Sequence, residues 1–103
     1  MTYNRGVRFE WDPHKDQANQ KKHGLSFDEA AALLAGESDY LEVYDHEHSD
    51  EEDRFIAIGP MRAGVVVVVY TERRDDVIRI VSARKATRGE VRLLRRYLGG
   101  TDG

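Results

Sequence analysis

Five consecutive valines, residues 65–69, limit the possible folds of this chain more than any other feature. β-Branched residues favour strands, and an unbroken apolar run lacks the alternation of a strand with one wet face. The run therefore predicts a central strand buried on both faces. Turn-forming residues 59–64 precede it and the charged residues 72–76 follow it. The adjoining strands are expected to pair with it through hairpin-length connections, which favour an antiparallel meander.

Two capped helices are predicted in the N-terminal half, after a short alternating strand over residues 7–11. Asp12 and Pro13 are typical of an N-cap and a first helical position, and Gly24 is typical of a left-handed stop. Ser26 and Glu29 then have the spacing of a capping box for the second helix. Because the turn between the helices is very short, they are expected to form a helical hairpin.

A third helix is predicted over residues 88–98, after a capping box formed by Thr87 and Glu90. Its apolar positions Val91 and Leu94 recur at helical spacing. The element order is β-α-α-β-β-β-β-α, which predicts a small α+β domain: an antiparallel sheet with an N-terminal helical hairpin and a C-terminal helix. At 103 residues, the chain is expected to form a single domain over residues 1–103.

The net charge of −3 hides a difference between the two halves of the chain. Residues 1–53 carry five Lys/Arg against fourteen Asp/Glu, which is −9, and residues 54–103 carry eleven against five, which is +6. Such asymmetry indicates a surface for an anionic partner, the alternative being that the halves neutralise each other. There is no cysteine, no apolar run of membrane-spanning length and no secretory signal pattern, so a cytoplasmic protein without disulfides is expected.

The positive charge is densest where the strand at residues 77–83 meets the third helix. Arg84, Lys85 and Arg88 surround a helix N-terminus, where backbone N–H groups and the helix dipole already favour an anion. This corner is predicted to bind phosphate. Further along the helix, Arg92 and two other arginines form a basic stripe, which is either part of that site or only a solvated face.

Arg79 interrupts an apolar strand, so it is expected either to act in the site or to form a structural ion pair. Its possible partners are glutamates from three segments: Glu10, Glu42 and Glu72.

Among the histidines, His23 lies at a helix C-terminus, where the dipole favours its protonated form. A plain structural histidine is the alternative. His46 and His48 lie in an acidic loop over residues 45–53, but nothing in the sequence fixes a coordination geometry, so no metal site is predicted.

The chain resembles the BrnT toxin family of type II toxin–antitoxin systems. The resemblance extends from about Phe9 to Glu90, and its motifs occur in order: Phe9-Glu10-Trp11-Asp12, Lys22-His23-Gly24-Leu25-Ser26-Phe27, Asp45-x-x-His48-Ser49, Glu52-x-Arg54, Ile58-Gly59, Val69-Tyr70-Thr71-Glu72-Arg73 and Ile78-Arg79-Ile80-Val81-Ser82-Ala83-Arg84-Lys85-Ala86-Thr87-Arg88-x-Glu90. Each motif alone is weak, whereas their combined order is specific.

The resemblance implies a RelE-like fold and an endoribonuclease of the mRNA interferase type. It implies a BrnA-like ribbon-helix-helix antitoxin as partner, with DNA bound only through that antitoxin in autoregulation. Cleavage is expected to need neither metal nor cofactor, because the ribose 2′-OH can attack once a base removes its proton and cations stabilise the phosphorane. The net acidic charge and the lack of a recognition-helix motif argue against direct DNA binding.

Nine residues are candidates for the RNA site. Arg84 and Arg88 are predicted to stabilise phosphate, with Lys22 assisting and His23 transferring a proton, while Glu90 is predicted to be a cap. The RNA-binding candidates are the serine and the remaining basic and aromatic residues near the corner: Arg79, Ser82, Lys85, Arg92 and Tyr97.

The chain departs from the family pattern just after Glu90. The family has an arginine at the position of Val91 and a tyrosine at that of Leu94, whereas here Tyr97 follows one turn later. Tyr97 is therefore a candidate replacement for that tyrosine. The alternative function is a non-catalytic module that binds the antitoxin in transcriptional autoregulation.

Overall fold

A computed structural model describes residues 7–37, 39–49 and 52–99. Eight main elements follow one another: β1 (Arg8–Glu10), α1 (Pro13–His23), α2 (Phe27–Ala32), β2 (Leu41–Tyr44), β3 (Arg54–Met61), β4 (Gly64–Arg73), β5 (Val77–Lys85) and α3 (Arg88–Gly99). A further turn follows α2 over Leu33–Glu37 and includes Gly36 with φ of 93°, and short turns cover His46–His48 and Arg74–Asp76. None of the helices in these residues is both long and apolar enough to span a membrane.

The five strands form one sheet in the order β1-β5-β4-β3-β2. The three pairs from β2 to β5 are antiparallel, as expected from their short connections. β1, however, is parallel to β5, so the prediction of a wholly antiparallel sheet is wrong at this edge. Two helices and three strands separate β1 from β5, and a connection of that length permits parallel pairing.

The valine strand is buried on both faces, as predicted: Val66, Val67 and Val68 are fully inaccessible to solvent. On one face, Val66 and Val68 belong to a core with the α1–α2 region, which includes Leu25 and Phe27. On the other, Val67 packs with Leu94 of α3 and with Ile58. We call these two sides the α2 face and the α3 face. Complete burial of each such side chain contributes about 1.5–3 kcal/mol.

A β-bulge in β5 determines which side chains share the α3 face. Val69 pairs with Ser82, but Tyr70 pairs with Ile80, so the register skips Val81. Arg79 and Arg84 are five positions apart in the sequence and would point to opposite faces of a regular strand. Because of the bulge, both lie on the α3 face, opposite Thr71 and Val67 respectively.

The predicted helix signals are present. The Asp12 side chain accepts from the His14 N–H, and Gly24 ends α1 with φ of 71°. Both capping boxes form: Ser26 with Glu29, and Thr87 with Glu90, whose side chain accepts from the Thr87 N–H and whose own N–H donates to Thr87 Oγ1. Local sequence therefore sets where these helices begin.

The turn from β4 to β5 offers a test of local strain. Asp75 and Asp76 have φ of 61° and 58°, in the left-handed region that favours glycine. Asp76→Gly should therefore raise the free energy of unfolding by about 0.5 kcal/mol, whereas Asp76→Ala should lower it by a similar amount. Urea denaturation of the two variants checks this, and equal stabilities would contradict it.

Candidate functional site

Five polar side chains form a continuous row across the α3 face. Arg54 lies opposite Thr71, Thr71 opposite Arg79, and Arg79 opposite Glu10. At the far edge the Asp45 N–H donates to the Arg54 carbonyl at 2.8 Å, which continues the β2–β3 register and places Asp45 beside Arg54. We call these residues the polar row. It crosses every strand of the sheet.

The centre of the polar row holds two buried polar atoms, Arg54 Nε and Thr71 Oγ1, that have no hydrogen-bond partner among the described residues. Thr71 is only 3% exposed, and Arg54 is half-buried. Leaving such groups unpaired costs about 1–3 kcal/mol each, so buried polar atoms are usually paired with protein atoms, with water or with a ligand. A guanidinium N–H and a hydroxyl side by side match the oxygen atoms of a phosphate.

The β1 end of the polar row is an ion-pair network. Arg79 Nη1 donates to Glu10 Oε2 at 3.1 Å, and Arg73 Nε lies 3.8 Å from the same oxygen. Arg73 Nη2 also pairs with Glu52 at 3.1 Å. Of the three predicted partners of Arg79, Glu10 is therefore the one used. Glu42 instead accepts from the Tyr70 hydroxyl.

The predicted basic corner contains a two-point ion pair. Arg84 Nη1 and Nη2 donate to the two oxygens of Glu90, each at 2.9 Å. Hydrogen bonds from Arg84, joined by one from the Thr87 N–H, lower the pKa of Glu90 to about 2. Glu90 is thus ionised and weakly basic at neutral pH, consistent with a cap. Its carboxylate already occupies the Arg84 guanidinium that was predicted to face phosphate.

The pair predicts a specific loss of stability in acid. The folded-state pKa of Glu90 lies below its usual 4.5, so its contribution is complete above pH 4.5 and disappears as pH falls towards 2. Glu90→Gln keeps the capping box but should cost about 1 kcal/mol at pH 7, after solvent screening of the half-exposed Arg84.

Urea denaturation at pH 7 and at pH 2 measures this difference. Wild type and Glu90→Gln should become equally stable near pH 2. Glu29→Gln, at the other capping box, is the matched control and should differ little from wild type at either pH. A constant gap between wild type and Glu90→Gln would contradict the assignment.

Helix α3 places the remaining arginines on an exposed surface. Arg88, Arg92 and Arg95 line a shallow cavity of about 300 Å³ together with Ala86 and Val91. No ion pair joins these three arginines to a carboxylate in the part of the chain that the structure describes.

Leu94 and Tyr97, the two residues of α3 that concern the missing family tyrosine, differ in burial. Leu94 is 4% exposed and packs on Ile58 and Val67, so this position now holds a core residue. Tyr97 is 57% exposed.

The other predicted residues lie apart from one another. Ser82 is half-buried on the α3 face, between Arg79 and Arg84. Lys85 pairs with Val66, so it lies on the α2 side of β5. Lys22 and His23 end α1, and neither forms a side-chain hydrogen bond or ion pair with any residue of the described ranges. The structure thus brings Arg79, Ser82 and Arg84 onto one face but joins Lys22 and His23 to none of them.

Four of the five residues in the polar row are not among the predicted site residues: Glu10, Arg54, Thr71 and Asp45. His48, which pairs with Asp45, is not among them either. Arg54 did carry a signal, because it alternates in phase with Ile56 and Ile58, as Arg79 does with Val77. No group of three or more metal-ligating side chains occurs within residues 7–37, 39–49 and 52–99.

Comparison with known proteins identifies the family. A family model described as the ribonuclease toxin BrnT of type II toxin–antitoxin systems matches residues 11–90. The chain belongs to the BrnT family. Among curated protein sequences, none matches it. The 1.1 Å crystal structure of the ribonuclease toxin BrnT from Brucella abortus is similar over 80% of this chain and 99% of that one, with 22% identity and a TM-score of 0.59.

Membership of the BrnT family confirms the predicted resemblance, and the similar crystal structure supports the α+β fold. A ribonuclease toxin of a type II system has an RNA substrate and an antitoxin partner. Four of the five residues of the polar row lie inside the segment that matches BrnT, and Glu10 lies one residue before it. Arg92 and Tyr97 lie beyond its end.

Proposed function

We propose that this chain is an endoribonuclease toxin that cleaves RNA on the α3 face of its sheet without a metal ion. The observation that carries the proposal is the pair of buried, unpartnered atoms in the polar row, Arg54 Nε and Thr71 Oγ1. The oxygens of a bound phosphate would accept hydrogen bonds from both atoms. Arg79, which lies opposite Thr71, would help to neutralise the negative charge of that phosphate. Stabilising a phosphorane with fixed cations in a partly desolvated site is the largest effect such a protein can supply.

The predicted basic residues extend this site towards α3. Arg88 and Arg92, which lack carboxylate partners among the described residues, would bind the RNA backbone beyond the scissile phosphate. Ser82 lies between the polar row and Arg84. Arg84, paired with Glu90, would fix the start of α3. Lys22, Lys85 and Tyr97 keep their predicted roles in phosphate contact and RNA binding.

The proposed cellular partner is a BrnA-like ribbon-helix-helix antitoxin, in a RelE-like, cytoplasmic toxin–antitoxin pair that binds DNA only through the antitoxin. Leu93, Tyr97 and Leu98 expose apolar surface on α3, which supports a protein partner there. Leu94, buried where the family has a tyrosine, favours a second candidate function: a toxin-derived module that binds antitoxin but cleaves poorly. Growth arrest on expression without antitoxin would favour the enzyme, and its absence the module.

The metal-free mechanism predicts that EDTA leaves cleavage unchanged. The products should be a 2′,3′-cyclic phosphate and a 5′-hydroxyl, since the 2′-oxygen is the nucleophile. Both points are checked by incubating an end-labelled RNA with purified protein, with and without EDTA. About 5 mM EDTA is a large excess over trace metal. Loss of cleavage on chelation, restored by Mg²⁺, would contradict the mechanism, and a preparation of Arg54→Met controls for contaminating nucleases.

A further inference from the structure

An Asp–His pair stands at the β2 end of the polar row. His48 Nδ1 lies 2.9 Å from Asp45 Oδ2. The Asp45 side chain is 15% exposed, whereas that of His48 is 60% exposed. A carboxylate can only accept, so in the neutral imidazole this bond places the proton on Nδ1 and leaves Nε2 as an acceptor directed away from Asp45. The neutral imidazole is therefore held in one tautomer on a largely exposed side chain.

Hydrogen bonds join the turn that contains this pair to strand β3. Ser49 Oγ donates to the Asp45 carbonyl at 2.6 Å and accepts from the Arg54 N–H at 2.9 Å. The Asp45 N–H in turn donates to the Arg54 carbonyl. Hydrogen bonds to the backbone N–H and carbonyl of Arg54 thus hold Asp45, and the turn that contains His48, beside the start of β3. A proton-transfer group needs this kind of fixed position, because it must lie within hydrogen-bond reach of the reacting proton.

We propose that His48 is the general base of the RNA cleavage reaction and that Asp45 is its positioning residue. This inference rests on the proposed function, and it replaces His23 in the role of proton transfer. His48 Nε2 would take the proton of the 2′-OH while the 2′-oxygen bonds to phosphorus. The bond from phosphorus to the 5′-oxygen breaks, that oxygen takes a proton from water, and His48 returns its proton to solvent.

The position of the pair supports this assignment over His23. Asp45 is the cross-strand neighbour of Arg54, whose Nε is available for phosphate, so the residue that positions the base lies beside the phosphate donor. His23 ends α1 and has no orienting partner among the described residues.

The test compares single-turnover cleavage with binding. His48→Gln should lower the cleavage rate by about 10²- to 10⁴-fold, while the affinity for the same RNA carrying 2′-O-methyl groups stays within about threefold of wild type. Asp45→Asn should lower the rate by about 10- to 100-fold and shift the ¹⁵N resonance of His48 Nδ1, since the fixed tautomer is lost. Added imidazole should restore part of the activity of His48→Gly.

His46→Gln is the matched control, because His46 lies in the same turn and packs on Tyr44, with its ring centroid 4.6 Å from that of Tyr44. It should cleave as wild type does. Wild-type rates in His48→Gln, or a loss in His23→Gln with none in His48→Gln, would overturn the inference while leaving the proposed function intact. An inactive wild-type protein would overturn both.

Discussion

Arg54→Met should cleave RNA about 10²- to 10³-fold more slowly than wild type, yet unfold no more easily. The guanidinium is lost from the centre of the polar row, where a fixed donor to the transition state has its largest effect. Its Nε is buried without a hydrogen-bond partner among the described residues. The desolvation of this group therefore destabilises the folded protein. Methionine fills much of the same space without that cost. Stability should therefore stay constant or rise by about 1 kcal/mol.

Arg62→Met is the matched control, because Arg62 is exposed in the turn between β3 and β4, away from the polar row. It should change neither cleavage nor stability appreciably. Cleavage rates and urea denaturation of the three proteins measure both quantities. If Arg54→Met loses activity and stability together, Arg54 is mainly structural, and if it keeps full activity, the polar row is not the phosphate site.

Much of the fold follows from local sequence. The valine run, the capping boxes at Ser26 and Thr87, and Gly24 each act within one element, and each gives the predicted structure. The parallel edge strand β1 could not be predicted in this way. β1 and β5 are far apart in sequence, so no tight turn determines their pairing. It depends instead on how the intervening helices and strands pack.

The site was harder to predict because it is assembled across strands. Arg54, Thr71 and Arg79 are far apart in sequence and meet only through the register of β3, β4 and β5. The bulge at Val81 then brings Ser82 and Arg84 to the same face as Arg79, against simple alternation. Charge density at the strand–helix corner was visible in the sequence, but the Glu90 carboxylate that neutralises Arg84 was assigned only a capping role.

The free edge of β5 carries the largest expected effect on stability. β1 pairs only with Val77–Arg79, so no strand among the described residues lies on that side of the later part of β5. Asn19 of α1 takes its place: its Nδ2 donates to the Ala83 carbonyl at 2.8 Å and to the Leu25 carbonyl at 2.9 Å, and its Oδ1 accepts from the Ala83 N–H at 3.2 Å. Asn19 is itself 8% exposed.

Asn19→Ala should therefore lower the free energy of unfolding by about 3 kcal/mol, because three buried backbone groups lose their partner. For a domain of this size, that corresponds to a fall in Tm of roughly 12–24 °C. Gln17→Ala, an exposed position on the same helix, is the control and should change stability by less than about 0.5 kcal/mol. Thermal denaturation followed by circular dichroism measures both variants.

Hydrogen exchange separates this cause from a general loss of packing. In Asn19→Ala the Ala83 amide should exchange far faster than the ladder amides of β4, since only Ala83 loses its acceptor. Because Ala83 lies between Ser82 and Arg84, the same variant should cleave RNA more slowly even where it remains folded. Equal exchange rates at Ala83 in wild type and variant would show that something other than Asn19 protects this amide. Asn19 would then not take the place of a neighbouring strand at the edge of β5.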